Sequence, residues 1–422
     1  MKVGPTKLRN LLFARSILFG SFTKLGGALV VVLGLPLIAN ALPLQEYSQF
    51  LIAMSASSFM TILYGAVGRV VVRDLSSVLS SGGSADVSKT RAEALGIYIF
   101  TTVVVFVISA VLVLISGSSS TRWLLTVVLI LTMAYGFFQQ AEVLRVASRT
   151  DHVSSLWMLL ANIFLFLAIL FVPYNTALGV SFVYFGVPAI FQIAAAVHLV
   201  ISLRSIERPR FKLKSLMAQL ISSLDFLVYS VADYLKIFLS GILLGIASGE
   251  VDYAKYTTIV LVVARLVNPL SLITRPLLPA YIDARAAGDT QWIRSARTWC
   301  TLLLGGGGAA ILILPILHNA GVLNLVLQRE ADAITLVEVI SFSVFLCSHA
   351  GIALVSPFFF ATRRMTRALA HTSLLAVTVS LLLGYCLALH FGAAGMLFAT
   401  ALGSLAIVLM ASYYLYTEVL VC

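Results

Sequence analysis

Long apolar runs separated by short polar connectors follow one another along the whole chain. A helix rises ~1.5 Å per residue, so about 20 mostly apolar residues cross the roughly 30 Å hydrocarbon layer of a bilayer. A window of that length predicts about twelve spanning helices. They lie near 11–40, 49–72, 94–116, 123–143, 154–173, 178–203, 217–247, 255–280, 298–317, 332–360, 368–390 and 394–417. The first run is long, is interrupted by Lys24 and has no small-residue cleavage site, which predicts a permanent first helix rather than a removable signal. The longest connectors, 73–93 and 281–297 on one side and 318–331 on the other, are too short to fold as separate domains. The first two are expected to be partly helical. Midway lies the basic stretch RSIERPRFKLK, 204–214, which divides the chain into an N-lobe, 1–210, and a C-lobe, 211–422.

The two halves resemble each other in layout. The first helix contains Lys24 and leads to a loop bearing Glu46 and Tyr47; the seventh contains Lys236 and leads to a loop bearing Glu250, Asp252 and Tyr253. Two such units with the same entry orientation predict a parallel repeat about an axis along the membrane normal.

Composition sharpens this picture. Of 422 residues, 60% are hydrophobic and 11% charged, against roughly 25% charged in soluble domains. Too little polar side chain remains to cover a globule in water. A soluble enzyme, a nucleic-acid-binding domain and a disordered chain are excluded. The expected fold is all-α: a polytopic membrane protein with about twelve transmembrane helices in two six-helix lobes around a central cationic cavity.

The net charge of +11 is explained by placement. With the N-terminus inside, most Lys and Arg residues, from Lys2, Arg69 and Arg73 through Arg145 and Arg208 to Arg285 and Arg364, fall at cytoplasmic ends. The outer loops hold Arg122, Lys255 and Arg329. This split predicts both termini in the cytoplasm and is topology rather than a nucleic-acid footprint. The cysteines, Cys300, Cys347, Cys386 and Cys422, form no CxxC or Cys/His cluster, so neither a disulfide framework nor a metal site is expected. The run GGGG at 305–308 has no following Lys-Ser/Thr, so it is no Walker loop. No cofactor is expected.

Ionisable groups at bilayer depth are costly and normally face a bundle interior or a water-filled cavity. Lys24, Lys236 and Arg265 lie at that depth. On the seventh helix Asp225, Tyr229, Asp233, Lys236 and Ser240 form one stripe at helical spacing, and Asp233 can pair with Lys236 one turn on. That pair is readable either as a structural lock or as part of a binding surface. On the eighth helix Arg265, Asn268 and Arg275 share an arc beside Pro269, while small residues (Gly20, Ser21, Gly27, Ala28) surround Lys24. Lys24, Lys236 and Arg265 together point to an anionic substrate. Arg69 and Arg275, near the inner interface, either join them or snorkel to lipid phosphate. Glu338 and His349 share a face of the tenth helix and are candidates, with Asp225 and Asp233, for ion coupling or structural pairing. Glu142 is expected to pair with Arg145 or Arg149.

The segment LGGALVVVLGLPLIANALPLQEYSQF (25–50), followed by GRVVVRDLS (68–76), resembles the polysaccharide transporter family. Its members are the O-antigen and exopolysaccharide repeat-unit flippases, Wzx-like proteins of the multidrug/oligosaccharidyl-lipid/polysaccharide exporter superfamily. Ser48 stands where the family usually has glycine after its acidic-Tyr pair. The resemblance implies a flippase of the bacterial inner membrane and not an enzyme. Its substrate would be an undecaprenyl-pyrophosphate-linked oligosaccharide, moved from the cytoplasmic to the periplasmic leaflet by alternating access. It also implies contact with membrane lipids, and with a polysaccharide polymerase and chain-length regulator, but not with nucleic acid. The pyrophosphate would meet Lys24, Lys236 and Arg265. A multidrug exporter of the same superfamily is the alternative, although it would be expected to carry buried carboxylates where the first helix here has lysine. A lipid II flippase usually has two more helices. A major facilitator would need a glycine-rich Asp-Arg loop that GRVVVRDLSS does not supply. A membrane-embedded polymerase, the alternative of a different class, is disfavoured by the small outer loops.

Overall fold

The computed structural model describes residues 18, 20–24, 26–27, 30–81, 84–115, 119–203, 213–249, 252–253, 256, 259–260, 267, 271–319 and 335–421. Every regular element among them is helical. A π-helical turn, Val30–Gly34, runs into α1 (Leu35–Ala41). Then come α2 (Leu44–Ser81), α3 (Ser84–Ile115), α4 (Ser119–Phe138), α5 (Gln140–Ala147), α6 (Asp151–Phe171) and α7 (Ala177–Leu203). The series continues with α8 (Leu213–Ser248), α9 (Ser271–Ala286), α10 (Thr290–Asn319), α11 (Leu336–Phe360) and α12 (Arg363–Val421).

Eight helices among the described residues are long and apolar enough to cross a membrane. That number and the expected twelve are compatible. Arg363–Tyr413 takes in two expected spans as one candidate. The expected first and eighth spans are only partly covered by the described residues, and the ninth lies within α10. The polar connector after the second span is helical as expected. With 38 residues at ~1.5 Å each, α2 outruns the hydrocarbon layer and carries the connector on to Ser81. One local expectation changes. Glu46 and Tyr47 are not in a loop; they belong to the first turn of α2, and Glu46 is its acidic first-turn residue.

By internal packing the chain divides into two compact units, Met1–Leu227 and Val228–Cys422, with the division falling inside α8. In the first unit one apolar cluster gathers Ile38, Phe50, Val128 and Leu165, and another Met60, Tyr64, Tyr98 and Leu129. Gly136 of α4 lies so close to the Tyr64 ring that a Cβ there would collide with it. The glycine is thus what lets α2 and α4 meet. Arg73 ties α2 to the start of α8, donating to Ser222 Oγ at 2.6 Å and standing 5.6 Å over the Phe226 ring. Glu46 Oε2 accepts from the Ala177 N–H at 2.6 Å, supplying a charge to the N-terminus of α7, where the Thr176 hydroxyl also accepts from the Gly179 N–H at 3.2 Å.

In the second unit Leu244, Tyr256, Phe345, Met396 and Leu397 form the core. The two halves of α12 meet at Gly392, which has φ 52° and ψ −135°. They fold back on each other: Gly403 lies against Ser380, Gly384 against Met396, and Gly395 against the backbone of Leu387. Large apolar side chains such as Leu114, Phe171, Leu382 and Tyr413 face outward, whereas Ser57, Thr132, Lys236 and Ser404 are buried. Apolar outside with polar groups within is the arrangement a lipid solvent selects.

Candidate functional site

The most polar interior point of the second unit is built on α8. Lys236 is fully buried there, among side chains that are otherwise mostly apolar. Its ammonium lies 2.9 Å from Asp233 Oδ1 and donates to Ser404 Oγ at 2.8 Å. The helical period places Asp233 one turn before Lys236, so the pair is local and preformed. Ser404 comes from the second half of α12. His349 of α11 lies within electrostatic reach of both Asp233 and Lys236, and its ring stands 5.8 Å from that of Phe345. Residues from α8 and α12 therefore meet at one ammonium, with His349 of α11 within electrostatic reach.

An ammonium carries three N–H donors. Asp233 and Ser404 take two of them among the described residues. Ser240, one turn further along α8, is also fully buried, and the Tyr256 hydroxyl donates to the Ile237 carbonyl at 3.3 Å. A titratable imidazole, a carboxylate, an ammonium and hydroxyls thus share one interior region. This arrangement can hold an oxyanion through the ammonium, or pass a proton between carboxylate and imidazole.

The remaining sequence candidates are placed as follows. Tyr229 packs edge-on against Phe360 at 5.5 Å. Asp225 belongs to the first unit and is half-buried. Glu338 has a local task at the start of α11: its carboxylate accepts from the Thr335 N–H at 2.6 Å, and the Thr335 hydroxyl accepts from the Glu338 N–H. That is a capping box. Lys24 is helical and half-buried in the first unit. Beside it the Thr23 hydroxyl donates to the Ser155 carbonyl at 2.6 Å, and Asn162 Nδ2 to the Thr23 carbonyl at 2.9 Å, fixing this helix to α6. Arg69 is half-buried on α2. Arg275 is on α9, with its side chain outside the described residues, and Arg265 lies outside them altogether. Glu142 is buried, and its Oε2 accepts from Gln192 Nε2 at 3.3 Å.

Ser404 was not a sequence candidate. A single serine in an apolar run carries no signal, although Thr400 and Ser404 at helical spacing mark one polar face of that run. Among the described residues no group of His, Cys, Asp and Glu is suited to hold a metal ion.

Fold and site together define an all-helical, multi-pass membrane protein with an ion pair buried inside its C-terminal unit. No family model and no curated protein matches the sequence. Solved structures do match the fold. An outward-facing multidrug resistance MATE family transporter of the MOP superfamily superposes with a TM-score of 0.80 at 10% identity, over 99% of this chain and 96% of that one. The Vibrio cholerae MATE transporter VcmN in its bent form gives 0.74 at 14% identity, over 98% and 97%. A MOP superfamily transporter from Pyrococcus furiosus, described as having a binding pocket of reverse polarity that suggests a different function, gives 0.74 at 9%, over 97% and 95%. At these identities the likeness establishes the fold. This chain has the fold of the MATE transporters, with about twelve helices in two lobes.

Proposed function

We propose that this chain is a transporter of the MOP superfamily and not an enzyme. In this reading it moves an undecaprenyl-pyrophosphate-linked oligosaccharide from the cytoplasmic to the periplasmic leaflet of the bacterial inner membrane by alternating access, with both termini in the cytoplasm. The observation that carries the reading is Lys236, fully buried within a MATE-type fold and held by Asp233 and Ser404. A cation at that depth is costly, and an apolar contact would lock the same helices at least as well. Its retention fits a group kept to exchange partners. A pyrophosphate oxygen replacing Asp233 at the ammonium would keep the charge satisfied throughout transport. Lys24 adds a second cation in the N-terminal unit, and Arg265 a third in the C-terminal half of the sequence. Arg69 and Arg275, at the expected inner ends of their helices, would draw the anionic head group in. The different function suggested by the reverse polarity of the Pyrococcus furiosus neighbour's binding pocket supports a MATE-type fold serving more than one function.

One observation favours a second reading. His349 near Asp233 and Lys236 makes a titratable set of the kind that couples ion flow to export, as an ion-coupled multidrug or small-molecule exporter would need.

The test is purified protein in liposomes with a fluorescent lipid-linked pyrophosphate oligosaccharide in one leaflet. Wild type should equilibrate the probe between leaflets. Lys236→Ala should slow this by about tenfold or more, the cost of one charge-assisted contact, at equal reconstituted amount. Full flipping by Lys236→Ala would sink the assignment. Proton-driven efflux of a cationic dye without flipping would favour the exporter, and an elongated sugar chain would identify a polymerase.

A further inference from the structure

A second candidate site lies entirely within the first unit, at the end that the basic-residue distribution assigns to the cytoplasm. A cavity of about 310 Å³ opens there between the start of α3, the α5–α6 junction and the end of α7. That volume is at the lower end of the range of roughly 300–1,000 Å³ found for small-ligand clefts. Its polar lining is Arg91, Arg145, Ser148, Thr150, His198 and Ser202. Among the described residues no carboxylate lines it.

Three features give the cavity its sign. The first is Arg145, which is 3% exposed. Its Nη2 donates to the Ala195 carbonyl at 3.1 Å, while Nη1 is buried without a hydrogen-bond partner among the described residues. Glu142, one turn earlier, accepts from Gln192 Nε2 at 3.3 Å. A buried guanidinium with an unused donor is costly unless an anion completes it. The second is His198. Its Nδ1 accepts from the Trp157 indole N–H at 3.1 Å, so the ring proton sits on Nε2 and that nitrogen is a donor. The third is the N-terminus of α6, a helix of 21 residues that begins after Thr150 with no side-chain cap. Thr150 and Val153 of this helix end line the cavity, so its N-terminal backbone lies beside the two guanidiniums, with the Asp151 carboxylate in the same first turn.

We propose that this cavity binds a phosphate-bearing anion, either the head group of a membrane lipid or free phosphate. Two guanidiniums and an imidazole N–H supply donors that match the several oxygens of a phosphate, and none of the lining side chains among the described residues is a carboxylate. The site is separate from Lys236 and does not depend on what the chain transports.

The experiment is calorimetric titration of the full-length protein in a neutral detergent. The probes are dioctanoyl phosphatidic acid, inorganic phosphate and, as the zwitterionic control, dioctanoyl phosphatidylcholine. Phosphatidic acid should bind saturably and phosphatidylcholine should not. Arg145→Gln and Arg91→Gln should each weaken binding by about tenfold or more, and Arg122→Gln, in an expected outer loop, should change nothing. Phosphate binding as tightly as the lipid would identify a free-anion site; much tighter binding of the lipid would identify a head-group site. If Arg145→Gln does not fold, the half-buried Arg91 decides through Arg91→Gln alone. Absence of saturable binding by both anions, or equal affinity in wild type and Arg91→Gln, overturns the proposal.

Discussion

At the scale of single residues, the energetics turn on Lys236. Its side chain is 1% exposed, while that of Asp233 is 28% exposed, so the carboxylate stays partly open while the ammonium depends on its protein partners. Removing one member of a buried pair typically costs roughly 3–5 kcal/mol, because the other charge is left uncompensated. Partial exposure of Asp233 places Lys236→Met at the lower end of that range. Changing both residues, Lys236→Met with Asp233→Asn, should recover most of the lost stability while transport stays impaired. Thermal unfolding of the three proteins in detergent measures the first effect, and the liposome assay the second. A Lys236→Met protein as stable as wild type would mean that the pair contributes nothing to the fold. The pairing of Asp233 with Lys236 was legible in the sequence, because both lie on one helix and the helical period fixes their approach. Ser404 was not legible, since it lies 168 residues away and only packing brings it to the ammonium.

At the scale of elements, apolar run length gave the helices, and a few special residues gave their ends. The capping box of Thr335 and Glu338 starts α11, which accounts for a carboxylate that in the sequence resembled a relay group. Gly392 decides more. Its φ of 52° with ψ of −135° is a conformation that side chains disfavour, and the Asp252 carboxylate lies where a Cβ would go. Gly392→Ala should therefore destabilise the second unit by about 1–3 kcal/mol, seen as a lower melting temperature at unchanged helix content. An unchanged melting temperature would show that the turn tolerates a side chain. The sequence placed two spans, 368–390 and 394–417, on either side of this glycine, because an interruption of hydrophobicity is readable. That their faces then lock through Gly384, Gly395 and Gly403 was not readable. Small residues permit close approach but do not name a partner.

At the scale of the whole molecule, topology is the expectation most open to direct test. Single cysteines introduced in a cysteine-free background at Ser118, Asn175 and Asn319 should react with an impermeant reagent from outside. Those at Ser84 and Arg208 should react only from inside. Labelling of Asn319 from the inside would break the C-terminal half of this arrangement. The sequence by itself determined that the chain is all-helical, that it spans a membrane many times, and which helices carry charge at depth. Each of these follows from local hydrophobicity and helical period, which act over tens of residues. Tertiary structure alone decided which of those charges meet. It brought Ser404 to Lys236, set His349 within electrostatic reach of Asp233 and Lys236, and gathered Arg91, Arg145 and His198 around one cavity. Contacts between distant helices depend on the shape of every side chain between them, and spacing along a single chain does not record that.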